Sequence, residues 1–538
     1  MCSSLYVVIL RQFNHLRRQS FILECIANSL DATNVSVDTF FLIYAASLVF
    51  YMQTGFAMLC AGSVRIKNLQ NTMLKNILDA CGASLGFYTV GFAFAFGGNG
   101  DSEGETTFIG TENFFLMGVE QKAVWLFQFS FAATSATIVA GTLAERSQML
   151  AYLCYSAAMT AFVYPVAAHS IWNSAGFLSP YNVDPFLGTG TVDFAGCLVV
   201  HITGGLTALI AAKILGPRKG RFYQVDGKIT VNDFPGHSIA LKALGVFILW
   251  FCWYGFNTGS VYHITGEGAA TLAQNAAVNT TLAAASGAIS ALFARVWISE
   301  RETGEPVFSL CDTLMGCLSG LVSITGGCAF VPAWASIVIG LISGVVYLSG
   351  SRLMIRFGID DAVDAIPIHM LNGMWGCIAV GLFADPAYLV LSHPEMSSAG
   401  LFYSNGNLLV CQIVGIFFVF GWVTITMTPF FCVLHYAGWL RADSLEEIVG
   451  LDISYHGGFR QRGVETESNH DEEESLYYQR REELREKQRN KIRRRILMMD
   501  ISLSRGRNSV ASASEEKSDD VGNHDDDQGL PPIGRLTI

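Results

Sequence analysis

The sequence predicts an all-α polytopic membrane protein of about eleven transmembrane helices, with an inverted repeat of helices 1–5 and 6–10 and a largely disordered C-terminal tail. Three observations carry this expectation. Of 538 residues, 51% are hydrophobic and only 15% charged, with a mean hydropathy of +0.38, which is too apolar for a soluble chain of this length. Apolar stretches long enough for the roughly 20 helical residues that cross a hydrocarbon core recur from Val37 to Trp439. The fifth and tenth of them carry the same triplet, Asp193, His201, Gly205 and Asp361, His369, Gly373.

Residues 1–36 read as an extracellular N-terminal segment. Its apolar run Ser4–Leu10 has no basic residue before it and is followed by Arg11, Arg17 and Arg18, a poor signal peptide. The transmembrane domain occupies 37–440, with spans near 37–64, 72–97, 121–143, 148–170, 193–216, 237–259, 268–296, 307–328, 332–356, 362–384 and 407–439. Alternate loops separate by charge: Arg65/Lys67/Lys75, Arg146, Arg218/Lys219/Arg221/Lys228, Arg295/Arg301 and Arg352/Arg356 fall on one side. The other side holds Asp101, Glu103, Glu105, Glu112, Asp184, Glu267, Asp385 and Glu395. The basic side is cytoplasmic by the positive-inside rule, so an odd span count puts the N-terminus outside and the C-terminus inside. The N-terminal arginines disagree. Residues 460–538 are rich in Glu, Asp, Arg, Lys and Ser and read as a charged, largely disordered cytoplasmic tail. Within it, Arg480–Met499 reads either as a solvated charged helix, with a narrow stripe of Ile492, Ile496 and Leu497, or as a basic run that binds anionic lipid.

The net charge of −11 lies mainly in outer loops and the tail, so it marks no cationic partner, and nothing points to nucleic acid. Most of the 13 cysteines fall inside apolar runs at no metal-ligand spacing and read as packing residues. With no nucleophile-and-base pattern either, neither an enzyme nor a cofactor is expected.

Ionisable residues inside spans are costly and mark a pathway or an internal pair. Each triplet has its histidine eight residues after the aspartate and its glycine four further on, and five spans separate the copies. An odd separation inverts the second copy in the membrane. Eight residues of helix advance about 12 Å, so histidines approaching from opposite faces meet near the middle of a roughly 30 Å core. Two neutral imidazoles offer a donor and an acceptor to a small polar solute. The aspartates read either as caps on their own helices or as groups that handle a cation or proton.

Aromatic residues form a second constellation. Phe127 and Phe131 lie one turn apart on the third span, Trp172 ends the fourth, and Trp253 and Phe256 precede Ser260 on the sixth. A tryptophan at a span end is an interfacial anchor or, with neighbouring rings, one face of a cation site; spacing leaves both readings open.

At these residues the chain resembles the ammonium transporter (Amt/Mep/Rh) family, most closely its eukaryotic Amt branch. The resemblance runs from about Asp38 to Phe459 and rests on several motifs. They are Ala61–Asn68, Gly141-Thr142-Leu143-Ala144-Glu145-Arg146, Asp193-Phe194-Ala195-Gly196 with Val200-His201, Gly255–Ser260, Asp360-Asp361-Ala362-Val363-Asp364, and Gly450-Leu451-Asp452 with His456-Gly457-Gly458. The resemblance implies a plasma-membrane homotrimer with one pore per subunit, which takes ammonium or ammonia and also methylammonium. It implies an outer cation site at Trp172, Phe131 and Ser260, near Phe127 and Trp253, a gate at Phe131 and Phe256, and twin pore histidines at His201 and His369. Asp193, Asp361 and Asp364 then brace the pore or assist deprotonation. Residues 441–459 become a cytoplasmic regulatory segment that docks under a neighbouring subunit, where Ser454, between Gly450 and the following glycines and beside Asp452, matches a phosphorylatable threonine of plant relatives and implies a kinase. Trp172 counts against an Rh-like gas channel. An ammonium sensor that signals through its tail is the other alternative.

Overall fold

The computed structural model describes residues 2–98, 106–225 and 228–456, together with Gln479, Glu483, Glu486 and Asn490. Eleven apolar helices follow one another: α1 Cys2–Ser63, α2 Ile66–Phe96, α3 Lys122–Leu143, α4 Met149–Trp172, α5 Cys197–Leu215, α6 Ile239–Gly259, α7 Glu267–Thr303, α8 Leu310–Thr325, α9 Ala333–Arg356, α10 Ile366–Phe383 and α11 Asn407–Tyr436. Ten of these, α1 counted from Phe21, are long and apolar enough to cross a membrane. The remaining one, α8, has 16 residues and lies within the predicted eighth span. Two short helices follow, α12 Ser444–Val449 and α13 Leu451–His456.

Two differences from the sequence reading have simple causes. Residues 2–36 are helical and continuous with the first span in α1, since the sequence holds no Gly or Pro before Gly55 to stop a helix. The loop between α5 and α6 carries an antiparallel hairpin, β1 Phe222–Val225 and β2 Lys228–Val231, with Phe222 opposite Val231. Its alternation is too short to stand out in the sequence.

Burial sorts the helices. α3, α5 and α10 are mostly buried, whereas α1, α7 and α11 turn much of their apolar surface outward. Phe247, Phe251, Phe293, Phe417, Ile425 and Val433 are exposed on the single chain, an apolar surface suited to lipid or to another subunit. α1 packs along α6, the equivalent helix of the second repeat. The three most buried helices therefore meet in the interior, and they carry Phe131, His201 and His369. The chain from Arg460 onward forms a separate unit; its four described residues are helical, and Ile492, Ile496 and Leu497 lie outside the described residues.

Candidate functional site

Asp193 and Asp361 each precede their helix. Asp193 Oδ1 accepts the backbone N–H groups of Gly196 and Cys197 at 3.1 and 2.7 Å, and Oδ2 accepts those of Leu198 and Val199 at 2.8 and 3.0 Å. These are the orphan donors of a helix start. Asp361 accepts from Ile366 N at 2.7 Å and Thr142 Oγ1 at 2.9 Å. Asp364, at φ 55°, accepts from Ser351 at 2.9 Å and Tyr347 at 3.2 Å.

The helix that follows each aspartate begins as a π-turn, Cys197–Ile202 in α5 and Ile366–Leu371 in α10. Each wide turn contains the histidine. The imidazoles stack with centroids 5.2 Å apart and Nδ1 atoms 3.2 Å apart, and both are buried. The glycine that follows each histidine seats the other helix: a Cβ on Gly205 would collide with the Met370 backbone, and one on Gly373 would come 2.9 Å from the Cys197 carbonyl oxygen. No side chain fits at either crossing.

Trp253 and Phe256 of α6 lie against His201, with centroids 5.5 and 5.8 Å away. Trp253 donates to Thr325 Oγ1 at 2.9 Å and stands beside the imidazole rather than with the residues that line the chamber described next. Phe256 stacks on Phe131 at 4.1 Å and 14°, so this pair of rings lies between His201 and Trp172.

Beyond it opens a chamber of about 550 Å³ lined by Phe127, Phe131, Trp172, Asp193 and Ser260. Phe127 and Phe131 are 4.7 Å apart, and Trp172 meets Phe131 edge-on at 6.0 Å. Trp172 also donates to the Asp193 carbonyl oxygen at 2.6 Å, and Ser260 donates to Phe256 O at 3.0 Å while its oxygen keeps acceptor capacity. The chamber thus combines ring faces, a hydroxyl and no fixed positive side chain among those five residues.

Two further groups escaped the sequence reading. Gln128, Tyr181, Tyr262 and His393 also line the chamber, with Gln128 donating to the Tyr262 hydroxyl; nothing in their spacing marks them. At the opposite end, Arg218 clasps Asp360 through two bonds of 2.8 Å and reaches Glu145 at 2.7 Å, and Arg65 joins Glu145 at 2.5 Å. Burial opposes the Asp360 charge, but hydrogen bonds from Arg218 and the positive charge of the nearby Arg146 hold the carboxyl well below the usual carboxylate range. The basic loop residues that set the orientation rule are partly spent in this bracket.

The segment Gly450–His456 packs against the start of α2 in its own chain. Asp452 accepts from the backbone N–H groups of Gln70 at 2.9 Å and Asn71 at 2.7 Å at the start of α2, and Leu451 N donates to Asn68 at 2.8 Å. Gly450 has φ +117°, and a Cβ there would come 2.7 Å from the Lys67 carbonyl oxygen. Ser454 is half-buried and donates to Gly450 O at 2.9 Å. Gly457 and Gly458 lie outside the described residues.

Residues 40–461 match the model of the Ammonium Transporter Family. Ammonium transporter 1 member 3 of Solanum lycopersicum is 39% identical over 451 residues, covering 81% of this chain and 95% of the relative. Ammonium transporter Amt2 of Archaeoglobus fulgidus is 40% identical over 424 residues, 78% of this chain and 87% of its own. Among solved structures, one named Sensor Amt Protein matches with TM-score 0.68 and 31% identity over 79% of this chain and 100% of its own. Mep2 of Candida albicans matches with TM-score 0.66 and 26% identity over 76% and 87%.

Proposed function

The chain belongs to the ammonium transporter family, and from that membership we propose that it moves ammonium nitrogen across the plasma membrane through a pore at His201 and His369. The observation that carries the reading is the vertical order of the parts: chamber, stacked Phe131–Phe256 pair, then the two imidazoles 3.2 Å apart. Ammonium gathers at Trp172, Phe127, Phe131 and Ser260 by cation–π attraction and a hydroxyl acceptor. Passing the ring pair removes its water, which favours the neutral amine over the cation. The cation gives up one N–H proton, to water of the chamber or to the imidazole pair, and continues as ammonia, to which the histidines offer a donor and an acceptor in a dry passage.

Selectivity follows from that step. A charge at the bilayer centre costs at least about 2.5 to 3.5 kcal/mol; ammonium can shed its proton and potassium cannot. Asp193 has its oxygens filled by four backbone N–H groups, which favours bracing over proton transfer for this residue. The working form is a homotrimer with the N-terminus outside, the C-terminus in the cytoplasm, and Ser454 as the target of a kinase. Trp253 acts at the histidine level.

A second reading, an ammonium sensor that signals through its tail, has one observation in its favour, the match to the structure named Sensor Amt Protein. One experiment separates them. Purified protein in lipid bilayers should give currents or amine flux with ammonium and methylammonium and none with potassium; tight binding without flux would favour the sensor.

A further inference from the structure

The chamber contains a polar group that the transport route leaves unused. His393 lies in the loop between α10 and α11, is only 7% exposed, and lines the same cavity as Trp172 and Ser260. Neither of its ring nitrogens has a hydrogen-bond partner in the structure. A buried imidazole with both nitrogens unmatched is costly, and a cavity ligand relieves that cost. Its ring stacks on Tyr181 at 4.7 Å and meets Phe330 edge-on at 5.6 Å. His393 also borders a second depression of about 450 Å³, but Tyr181 and Phe330 line the chamber and not that depression. Its ring partners therefore lie on the chamber side.

We propose that His393, Tyr181 and Phe330 form a second binding subsite in the chamber for a small ammonium cation, distinct from the one at Trp172, Phe131 and Ser260. The imidazole lone pair accepts one N–H of the cation in a charge-assisted bond, and the two rings present π density to it. Burial pushes the imidazole down to about 4, so at neutral pH the ring is uncharged and does not repel a cation. A metal ion is a poorer occupant, since no cluster of three His, Cys, Asp or Glu exists among the described residues. This inference rests on the transport reading for its cargo, and it adds a holding point ahead of the ring pair.

The test is equilibrium binding of methylammonium to the purified full-length protein, read by intrinsic fluorescence, so that flux is not needed. His393→Phe should weaken binding about tenfold, the loss of one charge-assisted hydrogen bond. His393→Gln, which keeps an acceptor, should stay within about threefold of the wild type. Unchanged affinity in His393→Phe overturns the subsite, as does an equal loss in both variants, which would mark a packing role. If His393→Phe does not fold, His393→Leu takes its place against His393→Gln with the same criteria. Binding by the wild type without amine flux in bilayers would instead defeat the transport reading and leave the subsite standing.

Discussion

Nδ1 of His201 and Nδ1 of His369 face each other at 3.2 Å, so one of them carries a proton and the other a lone pair. In two neutral rings the Nδ1 donor then has a bare Nε2, and the Nδ1 acceptor a protonated one. The pair therefore shows one acceptor and one donor to the pore, and Nε2 of His201 has no protein partner. Removing either imidazole breaks both presentations. His201→Ala and His369→Ala should remain folded but lose ammonium-over-potassium selectivity by about tenfold or more. Unchanged flux and potassium exclusion in both, measured in bilayers, would defeat the pore assignment.

The crossing of α5 and α10 depends on the absence of a side chain at Gly205, whose Cβ position is occupied by the Met370 backbone. Gly→Ala in an open helix position stabilises by about 0.4–1 kcal/mol, whereas overpacking costs about 1–3 kcal/mol. Gly421 has open space around its Cβ position. Gly421→Ala should thus hold or raise the melting temperature in detergent, and Gly205→Ala should lower it. Equal responses would mean that the crossing can open without cost.

Trp172 has two partners, Phe131 edge-on at 6.0 Å and the Asp193 carbonyl oxygen at 2.6 Å. Trp172→Leu keeps an apolar side chain but loses volume, the ring face and the N–H donor. Apparent affinity for methylammonium should fall severalfold with most of the maximal current retained, because recruitment precedes desolvation. A lower melting temperature with unchanged affinity would assign Trp172 to holding the Asp193 turn.

Arg218 supplies the main interaction that depresses Asp360. A carboxylate whose folded pKa lies below its unfolded value of about 3.9 stabilises the fold above that pH, and the contribution is lost as pH falls towards the folded pKa. Acid unfolding of the wild type should accordingly steepen below about pH 4. Arg218→Met should be less stable at pH 7, since it leaves the buried Glu145 with Arg65 as its one cation and the buried Asp360 with no cation closer than Arg221 and Arg146, at 3.6 and 3.8 Å, and should lose less on acidification. Parallel acid profiles would remove Asp360 as the cause.

The fold class, the order of the spans and the repeat were legible because they rest on hydropathy and on a repeated Asp–His–Gly spacing, both local properties of the chain. The meeting of His201 and His369 was legible for the same reason. The π-turns around them were not: a helix with one wider turn has the same apolar composition as an α-helix. His393, Gln128 and Tyr262 reach the chamber through loops and helix ends whose course depends on tertiary packing, so their spacing carries no signal. The Arg218–Asp360–Glu145 bracket joins residues 142 and 73 positions apart, and loop charge carries no information about such pairing.

Regulation offers the last prediction, at Ser454. Its hydroxyl donates to Gly450 O at 2.9 Å, inside the segment whose Asp452 caps the start of α2 through Gln70 N and Asn71 N. A phosphate on Ser454 would remove that donor and add about −1.5 to −2 charges two residues from the Asp452 carboxylate, in a half-buried position. Repulsion and desolvation both favour release of α13. The first residues to feel release are Lys67, which donates to Ile448 O at 2.5 Å, and Asn68, which holds Leu451 N at 2.8 Å and Glu145 at 2.9 Å. Asn68 thus links the Gly450–His456 segment to the Glu145–Arg218–Asp360 bracket, and Asp360 adjoins Asp361 at the start of the His369 helix. Ser454→Asp should therefore reduce methylammonium uptake severalfold at equal surface expression, and Ser454→Ala, which only loses a hydroxyl bond within its own helix, should stay near wild type. Full activity in Ser454→Asp would end the switch hypothesis, and loss in both variants would show that the position needs a serine for packing alone.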